Sequence, residues 1–184
     1  NVLVVLAIAD YYYAIVLPKQ EKDAVALTHI SSILLLITTI LVALSIFFSR
    51  PISMLFKSPN LAIYYWMMPL YVLVMGAWNI LNYWYIRKKS FGRISSYQMS
   101  QSILSAGGKI GLGYAGVLQG GMIYSIVLAP LIALLSSLVL NFRNTLRPLL
   151  RFSRIDVLSQ AREYRNFPFF VLPRSFINVM AGQL

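Results

Sequence analysis

The chain is 184 residues long, 59% hydrophobic and 11% charged, with a formal net charge of +11 and a mean hydropathy of +0.71. Soluble domains carry roughly 25% charged residues, so this composition excludes an ordinary globular domain and points to an all-α, polytopic membrane helix bundle. Cysteine is absent, which removes disulfide and thiolate chemistry.

In chain order, Asn1 to Val16 reads as the end of a membrane helix, with Asp10 and Tyr11 to Tyr13 at its mouth and Pro18 as its stop. The sequence starts inside one apolar run and stops inside another, and reads as a fragment of a longer protein. Ala24 to Phe48 is long enough to span and holds no Asp, Glu, Lys or Arg. Its stripe of Thr28, Ser32 and Thr39, flanked by Ser31, Thr38 and Ser45, is expected to bond its own helix or a neighbour. His29, with no acid nearby in sequence, reads as structural rather than as a proton carrier.

Leu61 to Ile86 spans again, with aromatic residues at both ends. Pro69 is expected to kink it, and Asn79 and Asn82, one turn apart, are placed to line a cavity or to bond another helix. After a basic loop at Arg87 to Arg93 comes Gln98 to Gly120, a membrane-length segment with a single charge, Lys109. On a helix, Gln98, Ser102, Ser105, Lys109 and Gly113 share one stripe. Lys109 lies roughly 15 residues past the basic loop, on the order of 22 Å along a helix. A lysine at that depth faces protein or water rather than lipid, so the stripe is expected to face a polar cavity. Met122 to Phe142 is the last full span. A basic stretch, 143–167, follows, in which Ile155, Leu158 and Ala161 recur at helical spacing, as on a helix at a membrane surface. Pro168 opens a final apolar run that contains Arg174.

Charge sorts the loops by side. Those at 17–23, 87–93 and 143–167 hold 12 of the 16 Lys and Arg, against 2 in the loops at 49–59 and 117–121. The first set is therefore expected in the cytoplasm. The same pattern accounts for the high net charge without nucleic acid.

The motifs for chemistry are sparse. Gly111-Leu-Gly-Tyr-Ala-Gly116 has the spacing of a dinucleotide loop but no preceding strand. Gly107 with Gly111, or Gly116 with Gly120, fits close helix packing instead. There is no phosphate-binding loop, metal-ligand cluster or nucleophile triad. The five acids (Asp10, Glu21, Asp23, Asp156 and Glu163) sit in loops or at helix ends. No cofactor, no metal and no enzymatic activity are expected. What remains inside the membrane is positive charge, suited to an anionic substrate.

Three stretches carry a resemblance. Ala14 to Ala24 (AIVLPKQEKDA), Asn79 to Phe91 (NILNYWYIRKKSF) and Ala161 to Asn178 (AREYRNFPFFVLPRSFIN) resemble, in order and spacing, the Wzx-type polysaccharide or O-antigen flippases of the multidrug/oligosaccharidyl-lipid/polysaccharide exporter superfamily. Two positions depart from the family pattern: the stretch Asp10-Tyr11-Tyr12, and Arg174 where a small residue is common. The resemblance implies part of a two-lobe exporter fold like that of the multidrug exporters. Residues 1–142 would hold the end of helix two through helix six of the N-terminal lobe. Residues 143–167 would be a cytoplasmic linker, and 168–184 the start of helix seven. It further implies flipping of undecaprenyl-diphosphate-linked oligosaccharides across the bacterial inner membrane, for lipopolysaccharide O-antigen or other surface polysaccharide, by alternating access coupled to H+ or Na+ and without ATP hydrolysis. The partners implied are the lipid-linked glycan and membrane lipids. The lumen candidates are Lys109, Arg174, Asn79, Asn82, Gln98 and Ser102. The alternatives are a cation or drug exporter of the same superfamily, which would place an acid in the cavity, and a glycan polymerase, which would need a large outer loop.

Overall fold

A computed structural model of the chain describes residues 11–48, 64–114, 121–142, 149 and 154–164. Every regular element among them is helical. A 3-10 helix, Tyr11–Val16, precedes α1, Glu21–Leu44, which tightens into a second 3-10 turn at Ser45–Phe48. Then come α2, Met67–Arg87, α3, Phe91–Tyr114, α4, Gly121–Leu140, and α5, Arg154–Glu163.

Helix α1 starts three residues before the expected span because Glu21 and Asp23 occupy its first turn, where carboxylates meet the positive end of the helix dipole. Its hydroxyls turn inward on their own backbone. Thr28, Ser31, Ser32, Thr38 and Thr39 each donate to the carbonyl four residues earlier, at 2.8 to 3.0 Å, and Ser45 donates to Val42. Most of these bonds stay within the helix, and the Ser45 hydroxyl also lies 3.3 Å from that of Tyr65. His29 Nδ1 bonds the Val25 carbonyl at 2.8 Å.

One face of α1 buries Ala24, Leu27, Thr28 and Ser31, while Leu36, Ile40 and Leu44 are more than half exposed. On α4, Leu135 and Val139 are likewise more than half exposed, while Ala129 and Ala133 are buried. Apolar faces of that extent are unfavourable in water and suited to hydrocarbon. These two stretches, Glu21–Phe47 and Ile123–Leu140, are the ones among the described residues long and apolar enough to cross a membrane. Helices α2 and α3, with 21 and 24 residues, have the length. Their asparagines, serines and Lys109 make them more polar.

Helix α2 is the centre of the bundle, packing α1 and the first 3-10 helix on one side and α3 and α4 on the other. The helix begins at Met67, which puts Pro69 in the first turn, where no backbone N–H is needed and the fixed φ suits helix entry.

The α3–α4 pair makes the most extensive contact in the fold. The glycine that admits it is Gly108, where an added Cβ would come 3.0 Å from Ser125 Oγ. Gly107 and Gly111, expected at a packing seam, have open space instead; a shift of one residue turns a side chain about 100° round a helix. Gly116 and Gly120 lie outside the described residues.

The basic loop is shorter than the sequence suggests: Arg87 closes α2 and Arg93 sits in the first turn of α3. Lys89 adopts φ 52°, its N–H bonds the Ile86 carbonyl, and the Ser90 N–H bonds that of Tyr85. This pair of bonds is a Schellman stop, with lysine where glycine is usual.

Helix α5 packs on α1. It does so through Val157, Ala161 and Tyr164 with buried Gln160, leaving Leu158 71% exposed. Of the expected apolar row, Ala161 packs on the protein and Leu158 stays exposed.

Candidate functional site

The end of the bundle that carries the basic loops is tied by one side chain. The Arg87 guanidinium donates to the carbonyls of Ile15 (3.2 Å), Pro18 (2.6 Å) and Gln20 (3.1 Å), with longer contacts at 3.5 Å to Val16 and Lys19. A planar fork of five N–H donors suits a chain end whose carbonyls lack helical partners. Lys88 pairs with Glu21 at 2.7 Å and lies 5.2 Å from the Trp84 ring. Tyr12, Tyr13 and Tyr83 form a ring cluster with centroids 4.5 to 5.1 Å apart.

The Tyr11 hydroxyl donates to the Tyr164 carbonyl at 3.0 Å across 153 positions of sequence. Burial pushes the Tyr164 hydroxyl above its ordinary pKa, and the charges of Glu163 and Asp23 add to this, so the start of α1 lies beside the end of α5. The three resembling stretches thus meet, through their described residues, at one end of the bundle.

The predicted lumen residues are spread differently. Gln98, Ser102 and Lys109 are all exposed on α3, on the flank away from buried Tyr97 and half-buried Leu104. The other described helices do not wall this stripe. Among the described residues Lys109 has no carboxylate partner, unlike Lys88, which pairs with Glu21. Asn79 and Asn82 lie half-buried on α2, and Asn82 Oδ1 is buried with no hydrogen-bond partner among the described residues. Asn79 and Asn82 belong to α2, and the Lys109 stripe to α3. Arg174 lies outside the described residues, as does Asp10.

A second polar region was not anticipated. At the basic end of the α3–α4 pair lies a cavity of about 270 Å³, lined by Arg93, Ser96, Tyr97 and Ser100 on α3 and by Ser137 and Asn141 opposite. Tyr97 stacks on Trp78, centroids 3.3 Å apart and planes at 11°. The Arg93 guanidinium lies 5.7 Å from the Tyr85 ring. Among the described residues no group of three His, Cys, Asp or Glu could hold a metal ion.

The profile of a family described as "Polysaccharide biosynthesis protein" matches residues 12–184. The chain belongs to the polysaccharide biosynthesis protein family. No curated protein and no solved structure matched it.

Within this family member, two features escaped sequence reading for different reasons. Arg87 looked like one of several loop cations, and only its contact with carbonyls 67 to 72 positions away separates it from them. The spacing of Arg93, Ser96, Tyr97 and Ser100 at i, i+3, i+4 and i+7 is a helical face. It could have been found had α3 been extended back to Phe91.

Proposed function

We propose that this chain is part of a flippase that moves undecaprenyl-diphosphate-linked oligosaccharide repeats across the bacterial inner membrane for surface polysaccharide or O-antigen synthesis. The observation that carries the reading is Lys109: a cation exposed beside Gln98 and Ser102, on the flank of a membrane-length helix, in a member of the polysaccharide biosynthesis protein family. A charge in that position is costly unless it faces water or an anion. In this reading the stripe faces a lumen completed by a second lobe, and the basic end of the bundle is cytoplasmic. Lys109 attracts the diphosphate or acidic sugars, Arg174 adds positive charge, and Gln98, Ser102, Asn79 and Asn82 offer hydrogen bonds to the glycan. Alternating access, coupled to an H+ or Na+ gradient, carries the substrate over without bond cleavage.

The test uses the full-length gene in its host. Deletion is expected to abolish surface polysaccharide while single repeats accumulate on undecaprenyl diphosphate at the inner leaflet. Complementation with Lys109→Ala, expressed at wild-type level, is expected to restore little polymer. Full restoration removes Lys109 from the mechanism. Normal surface polymer in the deletion strain, with new sensitivity to cationic drugs, refutes the flippase reading.

A further inference from the structure

We propose that the crevice between α3 and α4 at the basic end is a binding site for one phosphoryl group, separate from the Lys109 stripe. The cavity, about 270 Å³, is at or below the lower end of small-molecule pockets, which run from about 300 to 1,000 Å³. It has room for a charged group and its ester substituent, and not for an oligosaccharide repeat.

The donors in it are divided by helix. On the α4 side the polar groups are already engaged. Ser137 Oγ lies 3.4 Å from the Tyr85 hydroxyl, and Asn141 Nδ2 donates to the Ser137 carbonyl at 3.0 Å. This side is a fixed wall. On α3, Arg93, Ser96, Tyr97 and Ser100 line the space from one helical face. The Tyr97 hydroxyl is buried with no hydrogen-bond partner among the described residues, and Tyr97 is only 2% exposed. A buried hydroxyl left unpaired is unfavourable, and Tyr97 is one of the residues that line the cavity.

Arg93 supplies the charge. Its guanidinium carbon lies 5.7 Å from the centroid of the Tyr85 ring. An arginine fork can offer paired N–H donors to two oxygens of one phosphoryl group, the bidentate geometry that it favours. Among the described residues no carboxylate lines the cavity, so an anion entering it meets no like charge from these walls. The headgroup of a phosphorylated membrane lipid and free phosphate share this chemistry, and the experiment separates them.

Full-length protein in a neutral detergent is titrated calorimetrically with dihexanoyl phosphatidic acid and, separately, with inorganic phosphate. Binding is expected, and Arg93→Gln is expected to weaken it about tenfold or more. Gly92→Leu gives a second handle. Gly92 lines the cavity and has open space where a Cβ would go, so this variant narrows the cavity while keeping all four α3 donors. It too is expected to weaken binding. A lipid Kd at least about tenfold below that of phosphate assigns the site to a lipid headgroup, and equal values assign it to free phosphate. Absence of binding by either probe, or wild-type affinity in both Arg93→Gln and Gly92→Leu, overturns the proposal. Because the readout is binding rather than transport, it stands or falls independently of the flippase reading.

Discussion

Arg87 and Lys109 carry the same charge and occupy opposite situations. Arg87 has its guanidinium filled by five backbone carbonyls, while Lys109 stands exposed on α3 with no described ion pair. A cation whose donors are satisfied by the fold holds the fold. A cation on a membrane-length helix without such partners is available to something else. Counting positive residues in the sequence cannot separate the two, because the difference lies in what surrounds them.

The strongest test of that contrast is to remove each cation. Arg87→Gln strands several carbonyls and is expected to destabilise by about 2–4 kcal/mol, read as a fall of several degrees in the unfolding midpoint of the purified protein in detergent. Arg87→Lys, with a single ammonium in place of the fork, should recover less than half of the loss. Lys109→Gln should leave the midpoint within about 0.5 kcal/mol of wild type. Equal losses at both positions would erase the distinction.

The contrast extends to the α3–α4 contact, which depends on shape rather than charge. Gly108→Val drives a branched side chain toward Ser125 and is expected to cost about 1–3 kcal/mol by the same measurement. Gly107→Ala, one residue away in open space, is expected to be neutral or to stabilise by up to about 1 kcal/mol through helix propensity. At the basic end, Lys89→Gly relieves the φ 52° conformation and should raise stability by about 1 kcal/mol. Glu21→Gln breaks the partly exposed pair with Lys88. It should cost under about 1 kcal/mol, a loss that shrinks further as salt is added.

The helices were legible because their causes are local. An uncharged apolar run sets α1 and α4, and the basic runs fall at helix ends. Hydroxyls at i and i+4 in α1 bond their own backbone as expected. What sequence could not supply was orientation between elements. Pro69 reads as a kink until α2 is known to start at Met67. Leu158 and Ala161 read as one apolar row until α5 is seen to pack Ala161, with Val157, on the bundle and to leave Leu158 exposed. Gly107 and Gly108 are indistinguishable until Ser125 is opposite one of them. In the candidate site, the Lys109 stripe was visible as a lone charge in an apolar span. The Arg93 face was hidden because the first two turns of α3 are polar enough to resemble a loop.

The bond from Tyr11 to Tyr164 has a mechanical consequence. A segment fastened to the bundle travels with it, so Arg154–Tyr164 behaves as a handle fixed to this body and not as slack cord hanging from it. Any pivot at this end of the bundle must then fall outside this stretch, and force applied to α5 would be delivered at the base of α1.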